Sequence, residues 1–128
     1  MTEQEAFEIA VPIVRVVVDY IANKSYEKIP DVFGFSNGNS LQLIVAAINQ
    51  FMDDAGITYM DTYDTPCKNG PDRYHEQLNV IVYSDGRGFA VDYFLATNGE
   101  INDLTLQMEF LVDSNGNYNP FIEDCHVL

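Results

Sequence analysis

At 128 residues the chain is long enough for one buried core and too short for two, and its 47% apolar content removes disorder as a reading. Six basic residues against twenty acidic ones leave a net charge of −14. That balance argues against nucleic-acid phosphates and anionic membranes as partners and makes a cationic protein the natural complement.

Thr2-Glu-Gln-Glu5 has the form of a capping box and predicts the start of a helix. Phe7, Ala10, Val11, Val14, Val17, Val18 and Ile21 then keep helical spacing, while Ile9, Ile13, Val16 and Tyr20 fill most of the remaining circumference. A helix so nearly apolar all round is expected to be buried on two sides, with Pro12 kinking or restarting it. Ser25 can cap a short helix over Tyr26-Glu-Lys-Ile29, ended by Pro30, and Phe33-Gly-Phe35 reads as an apolar loop folding back on the core. Asn37-Gly-Asn-Ser40 turns into a second helix carried by Leu41, Ile44, Val45, Ile48, Phe51, Met52 and Ala55, with Gly56 as its stop. Ile57–Tyr63 has the composition of a strand, and Asp64–Arg73 is a polar loop.

The remainder reads as an antiparallel meander. Leu78, Val80 and Val82 alternate, and a turn at Asp85-Gly86 sets them against Tyr93, Val91 and Phe89. A type I′ turn at Asn98-Gly99 places Tyr93 opposite Leu104, Val91 opposite Leu106 and Asp92 opposite Thr105. Asn115-Gly116 makes the last hairpin, pairing Phe110 with Phe121, Leu106 with Cys125 and Leu104 with Val127. Helices followed by such a meander predict a single α+β domain over 1–128, with N-terminal helices packed on one face of a curved antiparallel sheet of four to five strands.

This arrangement resembles the NTF2-like/cystatin-like superfamily. Val18-Asp-Tyr-Ile-Ala-Asn-Lys-Ser-Tyr-Glu-Lys-Ile29 looks like the end of that superfamily's first helix and the start of its second. Asp92-Tyr-Phe-Leu-Ala-Thr-Asn-Gly-Glu-Ile-Asn-Asp-Leu-Thr-Leu106 is similar to a segment of small uncharacterised bacterial domains. The superfamily resemblance implies a pocket between helix and sheet that holds acids and tyrosines. Tyr20, Tyr93 and Glu123 are the matching positions on the core face, with Glu123 beside Met108.

Chemistry is thinly marked. The predicted register lines up Asn79, Asp92, Thr105 and His126 across the opposite face, a row that could orient a histidine but is also what a solvated sheet face looks like. Asp113-Ser-Asn-Gly-Asn-Tyr-Asn119 has Tyr118 where a calcium loop needs glycine, and Asp72, His75 and Glu76 lack a second histidine at zinc spacing. No catalytic set, metal or cofactor is expected from these patterns. Cys67 and Cys125 are read as free thiols, in neither a CxxC nor a zinc spacing.

The expectation is a non-enzymatic binding protein, comparable to an immunity protein covering a cationic partner. Tyr59, Asp61, Tyr63, Asp64, Asp72 and Tyr74 form its candidate contact patch. The alternative is an NTF2-like small-molecule binder or isomerase. A homodimer through the sheet's outer face, at Ile81, Phe94 and Ile122, is a third reading. The acidic N-terminus and an early apolar segment, Ile9–Val18, broken by Pro12 and Arg15 point to a cytoplasmic chain that does not enter the membrane.

Overall fold

Capping opens the first helix as its sequence requires. In the computed structural model, which describes residues 1–31, 33–36, 38–68 and 77–127, Thr2 Oγ1 accepts from Glu5 N–H and Glu5 Oε1 accepts from Thr2 N–H, each at 3.1 Å. Helix α1 runs unbroken over Glu3–Ala22, and Ala6, Ala10, Val14, Val17, Val18 and Ile21 are its buried stripe. Pro12 neither stops nor restarts it. Pro12 and Glu8, whose carbonyl the missing donor would have met, both lie on the exposed side, where the lost bond costs least. A 3-10 helix at Tyr26–Asp31 follows, then the two-residue strand β1 at Gly34–Phe35. Helix α2, Leu41–Ala55, starts at Ser40, whose hydroxyl accepts from Leu43 N–H, and stops at Gly56 in the left-handed region (φ 70°).

Four further strands complete one sheet: β2 Leu78–Val82, β3 Gly88–Thr97, β4 Glu100–Val112 and β5 Tyr118–Val127. The spatial order is β1-β5-β4-β3-β2. The fold is α+β, and β1 makes the sheet mixed, because Gly34 and Phe35 run parallel to Phe121 and Ile122. Phe33-Gly-Phe35 is thus not merely a loop. Its backbone finds partners on β5, and Ser36 N–H continues the pairing to Ile122 O at 2.9 Å. Helix α1 packs on β2 and β3 and α2 on β5, all on one face. The buried interior between them holds Phe89 and Phe110, stacked at 4.7 Å between ring centroids, together with Val91, Leu95, Leu106 and Met108. Among the described residues no helix is long and apolar enough to cross a membrane.

The β2–β3 register is the predicted one, Val82 against Phe89 through Leu78 against Tyr93. The other two hairpins depart from prediction by bulges, with opposite consequences. At Asn98-Gly99 the turn pairs Thr97 with Glu100 and Ala96 with Ile101 as expected, but Phe94 then pairs with Thr105. Leu95 alone therefore faces Asn102, Asp103 and Leu104, two residues extra on β4. Every pair beyond moves by two: Tyr93 meets Leu106, Val91 meets Met108, and Asp92 meets Gln107 rather than Thr105. An even slip leaves the faces unchanged.

The β4–β5 hairpin carries an odd one. Gln107 pairs with Asp124 but Met108 pairs with Ile122, so Glu123 is the extra residue that a bulge inserts into β5. Phe110 meets Pro120, and Phe121 falls opposite Glu109 on the uncovered face. The predicted facing is inverted from Phe121 to Glu123: Ile122 is fully buried in the core, and Phe121 and Glu123 leave it. Burying an isoleucine in place of a carboxylate favours the bulge on both counts.

Ile57–Tyr63 is not a strand. It lies along the tip of the β3–β4 hairpin and is tied there by single bonds, Thr97 Oγ1 donating to Tyr59 O (2.9 Å) and Asp61 N–H to Ala96 O (2.7 Å).

Candidate functional site

Two residues of the expected contact patch, Asp61 and Tyr63, are taken up by the fold, while Tyr59 and Asp64 are exposed. Asp61 is buried, and its carboxylate accepts from the N–H groups of Asn98 (2.9 Å) and Gly99 (2.7 Å), the two residues of the type I′ turn. Tyr63 is buried against the Tyr93 ring at 5.6 Å, and its N–H donates to Asp19 Oδ1 at 2.9 Å. The Arg15 guanidinium lies 5.0 Å over the Tyr63 ring and pairs with Asp64 at 2.9 Å. Tyr59 remains exposed. Asp72 and Tyr74 lie outside the described residues.

The three pocket positions are not brought together. Tyr20 is half-buried on α1, Tyr93 is buried in the core, and the bulge carries Glu123 to the opposite face of the sheet. The predicted polar row also divides. Asn79, Asp92, Gln107 and Asp124 form one row, while Thr105 and His126 pair with each other in the next, beside Phe94. Thr105 is fully buried and its hydroxyl donates to Asp103 O at 3.3 Å. His126 Nδ1 lies 2.9 Å from Asp124 Oδ2, at an angle that does not make a hydrogen bond.

What the sheet assembles instead is an acidic face. Asp92 Oδ1 accepts from Gln107 Nε2 at 3.1 Å. Asp124 Oδ1 accepts from Asn39 Nδ2 at 3.1 Å and from Cys125 N–H at 2.8 Å. Glu109, from the next outward position on β4, accepts from Tyr83 Oη at 2.8 Å and Ser36 Oγ at 3.3 Å. Glu123 stands close enough to all three acids to feel them: partial burial first, then repulsion from Glu109, Asp92 and Asp124, holds its carboxyl above the ordinary value of 4.5. Tyr83 responds to the same field. Desolvation, its bond to Glu109 and the charge of Glu109 and Glu123 push its phenol up to about 12, and the Arg87 guanidinium over its ring at 4.5 Å opposes only part of this. Ile81 is exposed and Phe94 and Phe121 are half-buried on this face.

Glu109, Tyr83 and Ser36 were not singled out by sequence, and Phe121 was expected on the core face opposite Phe110. The signal for them was the outward alternation Thr105, Gln107, Glu109 on β4. Their company on β5 depended on the bulge.

A raised carboxyl binds protons more readily folded than unfolded, so its contribution to stability is greatest at low pH and is lost as pH rises through the folded-state value. Glu123→Gln is therefore expected to stabilise the protein near neutrality and to flatten the fall in stability above pH 4.5. Denaturation midpoints measured from pH 4 to 8 check this. A variant whose midpoint runs parallel to wild type would show that the repulsion is screened.

A concavity lies where α2 meets the ends of β4 and β5. It is an open groove of about 230 Å³ between Gln50, Phe51 and Asp54 on one side and Leu104, His126 and Val127 on the other. Cys125 reaches it too, and burial pushes its thiol up, which favours the protonated sulfur.

Residues 18–128 match the model of a family described only as a domain of unknown function, DUF7668. No curated protein matches the chain. No solved structure matches it either.

Proposed function

The chain belongs to that family of unknown function, and from its own geometry we propose that it is a protein-docking module whose uncovered sheet face receives a cationic partner protein. The observation that carries this reading is the meeting of Asp92, Glu109, Glu123 and Asp124 on one sheet face, where partial burial and then the neighbouring charges raise the Glu123 carboxyl. Such mutual repulsion destabilises the isolated protein and is relieved when an opposite charge arrives. Ile81, Phe94 and Phe121 supply apolar contact beside the acids, as an interface core requires. An immunity protein that covers a basic enzyme surface is the concrete case, and the reading takes the chain as cytoplasmic, where buried thiols such as Cys125 stay reduced. Dimerisation through this same face would set four carboxylates against their copies, so charge works against it.

The test is retention of a basic protein by the intact chain and by the charge-reversed variant Asp92→Lys/Glu123→Lys, followed by mass spectrometry. Neither substitution touches the core, and circular dichroism verifies the fold. Retention is expected to fall by about tenfold or more, as removal of complementary charge does elsewhere. Equal retention would overturn the proposal.

A second reading is a small-molecule binder of the NTF2-like kind, favoured by the groove beside α2. Phe51, Leu104 and Val127 would hold an apolar body there while Asp54 and His126 met a polar end.

A further inference from the structure

The acidic face ends at β2, and β2 is the edge of the sheet. Tyr83 N–H donates to Gly88 O at 3.0 Å, which places Tyr83 opposite Gly88 at a hydrogen-bonded position of the ladder. Such pairs recur at every second residue of an antiparallel ladder, so Ile81 and Asn79 also turn their backbone groups toward β3. Leu78, Val80 and Val82 consequently aim their N–H and C=O groups away from β3, and among the described residues no strand lies on that side.

Sheet edges are ordinarily protected by a lysine, a proline, a bulge or extreme shortness. The other edge, β1, is two residues long. β2 has none of these devices: Leu78-Asn-Val-Ile-Val82 carries no charge and no proline, and its register with β3 is unbroken over all five residues. Ile81, turned toward the acidic face, is 53% exposed. In a chain with 26 charged residues among 128, an uncharged edge with no neighbouring strand among the described residues is conspicuous.

We propose that the edge of β2 takes up an extended segment of a partner protein as an added antiparallel strand, with lysine or arginine side chains on the acidic side. This rests on the docking reading above and names the form of the partner. Strands lie about 4.8 Å apart, so a residue added opposite Asn79 stands about 10 Å from β3, within reach of a lysine extended toward Asp92. The added backbone would satisfy the outward groups of Leu78, Val80 and Val82, and the pairing would extend the sheet rather than cover it. A second copy of this chain offers the same edge but brings another −14 of charge with it, which disfavours that occupant.

The experiment is amide hydrogen exchange on the full chain, with and without a short synthetic peptide of alternating valine and lysine. The amides of Leu78, Val80 and Val82 are expected to slow by about tenfold or more when the lysine peptide is added. The valine–glutamate peptide should leave them unchanged, and Ile81→Lys should abolish the protection while circular dichroism stays that of wild type. The edge assignment is overturned if the lysine peptide perturbs Asp92 and Glu123 but leaves these three amides unprotected, an outcome that spares the docking reading. It is also overturned if the glutamate peptide protects equally, or if the amides are already protected in a concentration-dependent dimer. A peptide that perturbs neither face nor edge removes this proposal and weakens the docking reading with it.

Discussion

Replacing Asp61 with alanine is expected to destabilise the protein by about 3 kcal/mol, because hydrogen bonds to a charged group contribute about 1.5–3 kcal/mol each. Its carboxylate holds two successive N–H groups, Asn98 at 2.9 Å and Gly99 at 2.7 Å, while its own N–H is bonded to Ala96 O at 2.7 Å. Asn98 sits at φ 54° and Gly99 at φ 76°, so the turn already holds one non-glycine residue in the left-handed region. Without the carboxylate, the buried Gly99 N–H loses its acceptor, and the hairpin tip stays tied to Tyr59–Asp61 through Thr97 Oγ1 and the Asp61 N–H. Asp61→Asn should lie between wild type and Asp61→Ala, since an amide oxygen can accept from one donor while its NH₂ opposes the other. Urea denaturation with an unchanged m-value checks the figure, and a loss below about 1 kcal/mol would mean that water substitutes for the carboxylate.

Gly88→Ala should be comparably severe, through backbone contact and not side-chain packing. Gly88 opens β3 at φ 146°, and a Cβ there would overlap the Phe110 carbonyl oxygen and crowd Leu111 Cα on the adjacent strand. Strained backbone costs about 1–3 kcal/mol and overpacking about as much again. The expected loss is about 3 kcal/mol or more, with β3 and β4 forced apart where Phe89 stacks on Phe110. Gly86→Ala is the control. It shares a positive φ of 77° but meets nothing within 4 Å, so it should cost only the conformational part. Equal midpoints for the two variants would show that β4 yields to the added methyl group.

The three hairpins show how far alternation of apolar and polar residues carries from sequence to structure. Leu78–Val82 and Phe89–Tyr93 alternate without interruption, and their register followed from the turn alone. Asn102-Asp103 and Glu123-Asp124 put two polar residues side by side, and Phe121-Ile122 two apolar ones. These are breaks in the period of two, and each coincides with a bulge. The breaks were visible, but their effect depended on whether one residue or two had been added. Asp61 was not legible at all. Its partners are backbone N–H groups 37 and 38 residues away, and backbone donors leave no mark on composition. A tyrosine-and-aspartate segment looks like a contact surface until the hairpin it anchors is in place. The acidic face was half legible: Asp92 was placed outward, whereas Glu123 and Phe121 were assigned to the core because the odd bulge was not counted.

Read without Glu123, the final strand would run Pro120 in, Phe121 out, Ile122 in, Asp124 out, Cys125 in, a regular alternation with nothing displaced. The architecture would close over a chain one position shorter, so an insertion that the scaffold does not require sits where the negative charge is most crowded.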